Sequence, residues 1–191
     1  MTELAESIIE KYYPKDSYAY KILHTHVMNV TKLALRIAEH NAHLNPNMEY
    51  IKTACMLHDI GIFKTHAPEI GCYGDFPYIA HTFLGRELLE CEGLHDIAPI
   101  CERHIGVGIT VDDILKAKLP LPRRDMTPQT TEEKIICYAD KFYSKNPEKL
   151  NRIKPVKKIL KKLSKHGKKK AGIFEGFMEE FGWEYIYPES L

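Results

Sequence analysis

The chain has 191 residues, 44% hydrophobic and 28% charged, with a formal net charge of +1. That length fits one domain, or one domain with a short extension. The near-neutral balance excludes a chain that binds as a polyelectrolyte along its whole length, and no run approaches the ~20 apolar residues of a membrane span.

The elements predicted in chain order are almost all helical. Leu4, Ile8 and Ile9 make a short amphipathic pattern over residues 3–12, which Tyr13-Pro14 ends. Residues 18–43 form the strongest helix, with Ile22, Leu23, His26, Val30, Leu33, Ile37 and His40 at spacings of three and four. Asn45-Pro46 reads as a cap followed by a proline at the first helical position, and Gly61 as the stop of the helix that carries Ile51, Ala54, Cys55 and Leu57. Residues 62–79, broken by Pro68, Gly71, Gly74 and Pro77, read as a loop with little regular structure; loops of that length are often functional. Helices follow at 80–91, 95–104 and 111–118, then breaks at Pro120 and Pro122. Thr130 with Glu133 matches a capping box opening a helix that carries Ile135, Ile136, Ala139, Asp140 and Phe142. A lysine-rich helix is predicted over 147–165 and another over 171–181, with Tyr185-Ile186-Tyr187 as a short strand or packed tail. The expected fold is all-α, a single helical bundle with 1–150 as its domain and 151–191 as a lysine-rich helical extension packed on it.

The five cysteines form no C-x-x-C pair, and four lie in predicted helices, which suits reduced thiols. With no stretch of signal-peptide character, the expected setting is cytoplasmic. A chain this long folds without a structural metal, so a bound metal would serve function.

The sequence holds ten histidines, and the question is which converge. His26 shares the apolar stripe of its helix, whereas His24, two residues away, faces elsewhere. His58 and Asp59 end an apolar helix, and Asp140 is embedded in Ile135-Ile136-Cys137-Tyr138-Ala139. Such groups are costly to bury unless paired or metal-bound. His81 and His104 stand at the ends of two further helices. Singly, each has a plain reading: a core histidine with a hydrogen-bond partner, or Asp140 paired with Lys141 or Arg36. Together they are six candidate metal ligands on facing helices, the arrangement in which bundles enclose metals. Neighbours on a helix diverge by about 100°, so Asp59, with two oxygens, is the member of its pair suited to bridge two ions.

The order His26, His58-Asp59, Asp140, with Ala54-Cys55-Met56-Leu57-His58-Asp59-Ile60-Gly61 and Tyr138-Ala139-Asp140-Lys141, resembles the HD-domain superfamily of metal-dependent phosphohydrolases. His81 within His81-Thr82-Phe83-Leu84-Gly85-Arg86 and His104 after Ile100-Cys101-Glu102-Arg103 resemble its two-metal subset. The resemblance covers about residues 20–145. It implies His26, His58, Asp59 and Asp140 on one metal and Asp59, His81 and His104 on the other. Many relatives place a lysine directly after His-Asp-Ile-Gly; here that position is Ile62, and Lys64 follows two residues later.

The resemblance implies hydrolysis of a nucleotide or small phosphate ester by a metal-bridging water, with Asp59 and Lys64 as the catalytic residues. The mixed histidine and carboxylate set suits iron or manganese first, then zinc, nickel, cobalt or magnesium. Lys64, Arg123 and Arg124 are the expected phosphate contacts, ahead of Arg86, Arg103 and Lys141, because loops at a bundle end carry substrate contacts; His66 is a further loop candidate for proton transfer. From Arg152 to Lys170 there are nine lysines, one arginine and no acid. That tract reads as a solvated helix face, with Val156, Ile159, Leu160 and Leu163 packing behind it, or as a nucleic-acid contact. Two other functions stay open: nucleic-acid binding through the 152–170 tract, and di-iron oxygen chemistry on the same ligands.

Overall fold

The computed structural model describes residues 2–187. Among these the architecture is all-α: α1 (Thr2–Tyr12), α2 (Tyr18–His40), α3 (Met48–Leu57), α4 (His81–Cys91), α5 (Pro99–Arg103), α6 (Val111–Ala117), α7 (Thr131–Lys141), α8 (Val156–Ser164) and α9 (Lys168–Phe181). One antiparallel hairpin, β1 (His66–Ala67) with β2 (Cys72–Tyr73), pairs His66 with Tyr73 and Ala67 with Cys72.

Helix α2 is the spine. Its buried face repeats as Ile22, Leu23, His26, Val27, Val30, Leu33, Ala34 and Ile37, and it packs on both α3 and α7. Ser17 caps it, its side chain accepting from the Tyr20 N–H at 3.0 Å. It stops at His40, three residues short of the predicted end, and closes through a 3-10 turn at Ala42–Leu44. The cap of α3 is Asn47, not Asn45: the Asn47 side chain accepts from the Tyr50 N–H, while Asn45 takes a left-handed conformation that ends the preceding turn. Asparagine serves both roles, and the turn before the helix decides which one caps.

Thr130 caps α7, but the box is not reciprocal. The Glu133 side chain instead accepts from the Gln129 N–H and pairs with Arg103. A reciprocal capping box occurs at Thr110 and Asp113, opening α6. The predicted 95–104 helix shrinks to Pro99–Arg103, since Pro99 fits only at a helix start, and 147–165 shrinks to α8, with a 3-10 turn at Pro147–Lys149 before it. Tyr185-Ile186-Tyr187 falls in and after a 3-10 turn rather than a strand.

The main core draws on α1, α2, α3, α7 and the C-terminal helices. Ile159 and Leu163 of α8 and Phe174, Phe177 and Phe181 of α9 belong to it, with Tyr138 of α7 packed tilted or edge-on among the phenylalanines. Residues 151–187 thus share one core with the helices before them, while 188–191 of the expected extension lie outside the described residues. A small second cluster, Ile114, Leu121 and Met126 with Ile79, Phe83, Ile109 and Leu119 against it, contributes Ile79, Ile109 and Leu119 to the lining of the cavity described below.

Candidate metal centre

The helix α3 ends at Leu57, and His58 and Asp59 lead into a 3-10 turn, Ile60–Lys64. Two contacts fix that turn. The Tyr13 hydroxyl donates to the Ile60 carbonyl and accepts from the Phe63 N–H, both at 2.9 Å. On the other side, Gly61 lies against the backbone of α4. Gly61 therefore does not stop the helix through a left-handed conformation; it is required by close approach, because a Cβ there would sit 2.4 Å from the His81 carbonyl oxygen and 2.5 Å from the Gly85 nitrogen.

This wedge carries the His-Asp pair toward α2, α4, α5 and α7. Each Asp59 oxygen meets a different set of donors. Oδ2 lies 3.2 Å from His26 Nε2 and 2.9 Å from His58 Nε2. Oδ1 lies 3.3 Å from His81 Nε2 and 3.4 Å from His104 Nε2. Asp140 Oδ1 completes the first set, 3.0 Å from His26 Nε2 and 3.7 Å from His58 Nε2. The six residues are all buried, and their donor atoms form two groups that share Asp59: His26, His58, Asp59 and Asp140, and Asp59, His81 and His104.

The histidines are held by their own helices. Nδ1 of His58 donates to the Cys55 carbonyl at 2.6 Å, that of His81 to the Tyr78 carbonyl at 2.5 Å, and that of His104 to the Ile100 carbonyl at 3.1 Å. A carbonyl only accepts, so these bonds place the proton on Nδ1 and aim the Nε2 lone pair inward in the neutral ring. Nε2 of His26, His58 and His81 and Oδ1 of Asp59 are buried without a well-formed hydrogen bond. Buried polar atoms that converge yet remain unsatisfied fit a cation. Five nitrogen and oxygen donor residues plus a shared carboxylate suit divalent transition metals.

The electrostatics have the same sense. Burial alone would raise the Asp59 and Asp140 carboxyls. His58, Lys145, His104 and His26 around Asp59, and Lys141, His26 and His58 around Asp140, outweigh it and hold both well below the usual range. Burial would lower His58, but Asp59 and Asp140 push it up to about 9. His104, where burial dominates, falls to about 4. In the metal-free protein His58 is thus protonated at pH 7, and His104 is not. The His58 proton stabilises the metal-free fold fully below its unfolded value near 6.5, and that contribution is lost as pH rises through about 9. Metal at the first set must displace this proton. Calorimetry in buffers of different ionisation enthalpy is expected to show about one proton released per chain at pH 7, with apparent affinity rising with pH until about 9. Proton-independent binding across pH 7–9 would contradict this.

One group missed by sequence reasoning is Lys145. Its Nζ sits 2.7 Å from Asp59 Oδ2 with a side chain only 16% exposed. Although burial opposes its charge, Asp59, Tyr78 and Asp140 raise its pKa. The signal was there in principle, a lysine five residues past Asp140, but it lies beyond the end of α7, and only the chain's return brings it inward. Lys141 pairs with Asp140 at 2.7 Å and donates to the His104 carbonyl; Arg36, the other partner considered for Asp140, donates to the Ile186 carbonyl.

The centre opens into a cavity of about 970 Å3. The 62–79 segment contributes Glu69, Ile70, Tyr78 and Ile79 to its wall, not Lys64 or His66. Lys64 is directed over the Phe63 ring instead, and His66 is exposed in β1. Arg123 and Arg124 also stand outside the cavity. Arg124 pairs with the buried Glu102, which Arg86 holds from the other side at 2.9 Å. Arg103 is occupied by Glu133 at 2.7 Å. A buried carboxylate needs such partners, and these arginines brace α5. The expected phosphate contacts Lys64, Arg123 and Arg124 are thus not brought to the centre, whereas all six expected ligands converge.

A family model, the HD domain, matches residues 23–144. Among curated relatives, a tRNA (cytidine(56)-2'-O)-methyltransferase of Picrophilus torridus is 33% identical over 149 residues, covering 78% of this chain and 38% of that protein. An uncharacterized protein of Methanocaldococcus jannaschii is 32% identical over 137 residues, covering 71% of this chain and 66% of that protein. The chain spans little more than a third of the methyltransferase and about two thirds of the second relative. Two crystal structures of the L. monocytogenes phosphodiesterase PgpH HD domain share the fold, one of them in complex with cyclic-di-AMP. They are 19% and 21% identical, with TM-scores of 0.54 and 0.52; each covers 92% of this chain, against 87% and 81% of the other.

Proposed function

Since the chain belongs to the HD-domain family, we propose that it is a metal-dependent phosphohydrolase acting on a phosphate ester, a nucleotide first among them. One observation carries this reading: two donor groups share Asp59, one on each of its oxygens, at the floor of a cavity lined with lysines. The phosphodiesterase name of the structural neighbours and the cyclic-di-AMP bound to one of them support a phosphodiester substrate. The division proposed is an HD domain over 1–150 and a helical extension over 151–191.

In this reading His26, His58, Asp59 and Asp140 hold one ion and Asp59, His81 and His104 a second, iron or manganese before the other divalent metals. Two such ions supply a Lewis acid and water of lowered pKa. The chain's own part is to fix the donors, exclude bulk water behind α2 and α7, and present cations to the phosphate. Lys145 takes that last role in place of Lys64, because its ammonium is the one beside Asp59. Lys154 joins it: its Nζ donates to the Lys141 carbonyl at 3.2 Å, and burial lowers its pKa to about 8. Cleavage forms a bond from water oxygen to phosphorus and breaks the ester P–O bond, the leaving oxygen taking a proton.

The test is metal analysis, followed by a panel of phosphate mono- and diesters with added Mn2+ or Fe2+. Metal-dependent release of phosphate or a nucleoside monophosphate, lost on chelation, is expected. A fully metal-loaded protein that turns over no ester would overturn the reading.

A further inference from the structure

The lysine tract, which reads in sequence as a solvated face, splits between two environments. Ile159 and Leu163 anchor α8 in the core. Lys158, Lys162 and Lys165 then fall on the face that lines the cavity, while Lys157 and Lys161 stand outside it. The other cavity lysines have partners: Lys116 with Asp112 at 3.3 Å, Lys141 with Asp140, Lys145 with Asp59, Lys170 with Asp113 at 2.6 Å, and Lys154 with carbonyl oxygens. Lys158, Lys162 and Lys165 have no ion-pair partner among the described residues, although they share a cavity with the acids Glu69, Asp113 and Asp140.

Their arrangement is a row. Lys158 and Lys162 are one turn apart, a rise of about 6 Å, and Lys165 continues the line. The row starts beside Lys154, whose ammonium touches the end of α7 just past Asp140. The row thus begins at the residue that reaches the metal-bearing end of α7 and continues along α8. The same cavity is also lined by apolar and aromatic side chains, among them Tyr78, Ile79, Ile109 and Leu119. The volume, about 970 Å3, lies at the upper end of the ~300–1,000 Å3 usual for small-ligand sites.

A cationic row in a cavity that also offers apolar and aromatic side chains suits a ligand that carries both phosphates and flat bases. A separation of one helical turn per cation matches phosphates a full nucleotide apart, not phosphates joined through one oxygen. We infer that α8 forms a second phosphate subsite, and that the substrate is a short single-stranded oligonucleotide, a trinucleotide or longer, whose scissile phosphate lies at the metal centre and whose next phosphates lie on Lys158 and Lys162. This inference rests on the phosphohydrolase reading for the scissile end and on the cavity wall for the rest.

The test compares Lys158→Gln/Lys162→Gln with Lys157→Gln/Lys161→Gln, which removes the same charge from the same helix outside the cavity. Glutamine keeps the helix propensity of lysine. Binding of a fluorescein-labelled five-nucleotide RNA is read by anisotropy across salt concentrations. The cavity pair is expected to weaken binding at least tenfold and reduce the slope of log K against log salt by about 1.4, two single-strand phosphate contacts. The outer pair is expected to weaken it less than threefold. With Mn2+ the cavity pair should raise KM for the RNA and leave hydrolysis of bis(p-nitrophenyl) phosphate, which has one phosphate, within twofold. Equal effects of the two pairs, no effect of either, or tripolyphosphate competing as well as the RNA would each overturn the subsite. A subsite that binds as expected in a protein that hydrolyses no ester would sink the phosphohydrolase reading and leave the oligonucleotide subsite standing.

Discussion

Replacing Asp59 by alanine is expected to abolish phosphoesterase activity, by roughly a thousandfold or more, and to lower metal content at both positions together. The reason is geometric. No other residue of the centre faces both donor groups, one oxygen toward His26 and His58 and the other toward His81 and His104. Losing Asp140 would strip only the first group. The metal-free protein should suffer as well, because the buried Lys145 would lose its carboxylate partner at 2.7 Å. Removing one partner of a buried pair costs about 3–5 kcal/mol. Asp59→Asn separates the two effects: it keeps the shape and is expected to unfold nearer the wild type while still losing metal. Elemental analysis and thermal unfolding of both variants check this. A folded Asp59→Ala protein with both metals and full turnover would rule out the shared carboxylate.

Gly61→Ala is expected to destabilise the protein and to empty one metal position in preference to the other. The added Cβ would overlap the His81 carbonyl oxygen at 2.4 Å and the Gly85 nitrogen and Cα, all backbone atoms that no rotamer change can move. The 60–64 turn and α4 must separate, which carries His81 away from Asp59 Oδ1. Overpacking of this kind costs about 1–3 kcal/mol, and the upper end is expected here. For a chain of this size that corresponds to a Tm lowered by roughly 6–12 °C. Gly85→Ala is the control, since its Cβ would meet chiefly the Cys101 side chain at 3.2–3.3 Å and the Gly61 nitrogen at 3.2 Å, contacts a small shift relieves. A Gly61→Ala protein that melts within about 2 °C of the wild type, less than 1 kcal/mol, would show the contact to be loose.

The six ligand candidates could be named from sequence because each is marked locally. His26 sits in the stripe of Ile22, Val30 and Leu33, Asp140 in an apolar helix, His58-Asp59 where an apolar helix ends, and His81 and His104 at the ends of two further helices. Periodicity sets which face of a helix is buried, so a polar residue on that face is already conspicuous. The all-α fold follows from the same pattern. What the sequence could not rank were the cations, since lysine and arginine in loops look alike until their partners are known. Arg124, chosen for its loop, is taken by Glu102, and Lys64 turns over Phe63. Lys145, unmarked by any pattern, reaches Asp59.

By itself, then, the sequence determined the helices, their buried faces and the residues able to bind metal, because these depend on spacing within single elements. The tertiary structure alone decided that Gly61 serves close packing and not a helix stop. It also decided which lysines reach the cavity and that half of the basic tract lines it. Those outcomes depend on where α4, α7 and α8 meet, which no spacing along the chain encodes. The His-Asp pair could be read from the chain; the company it keeps is set by the packing of helices distant in sequence.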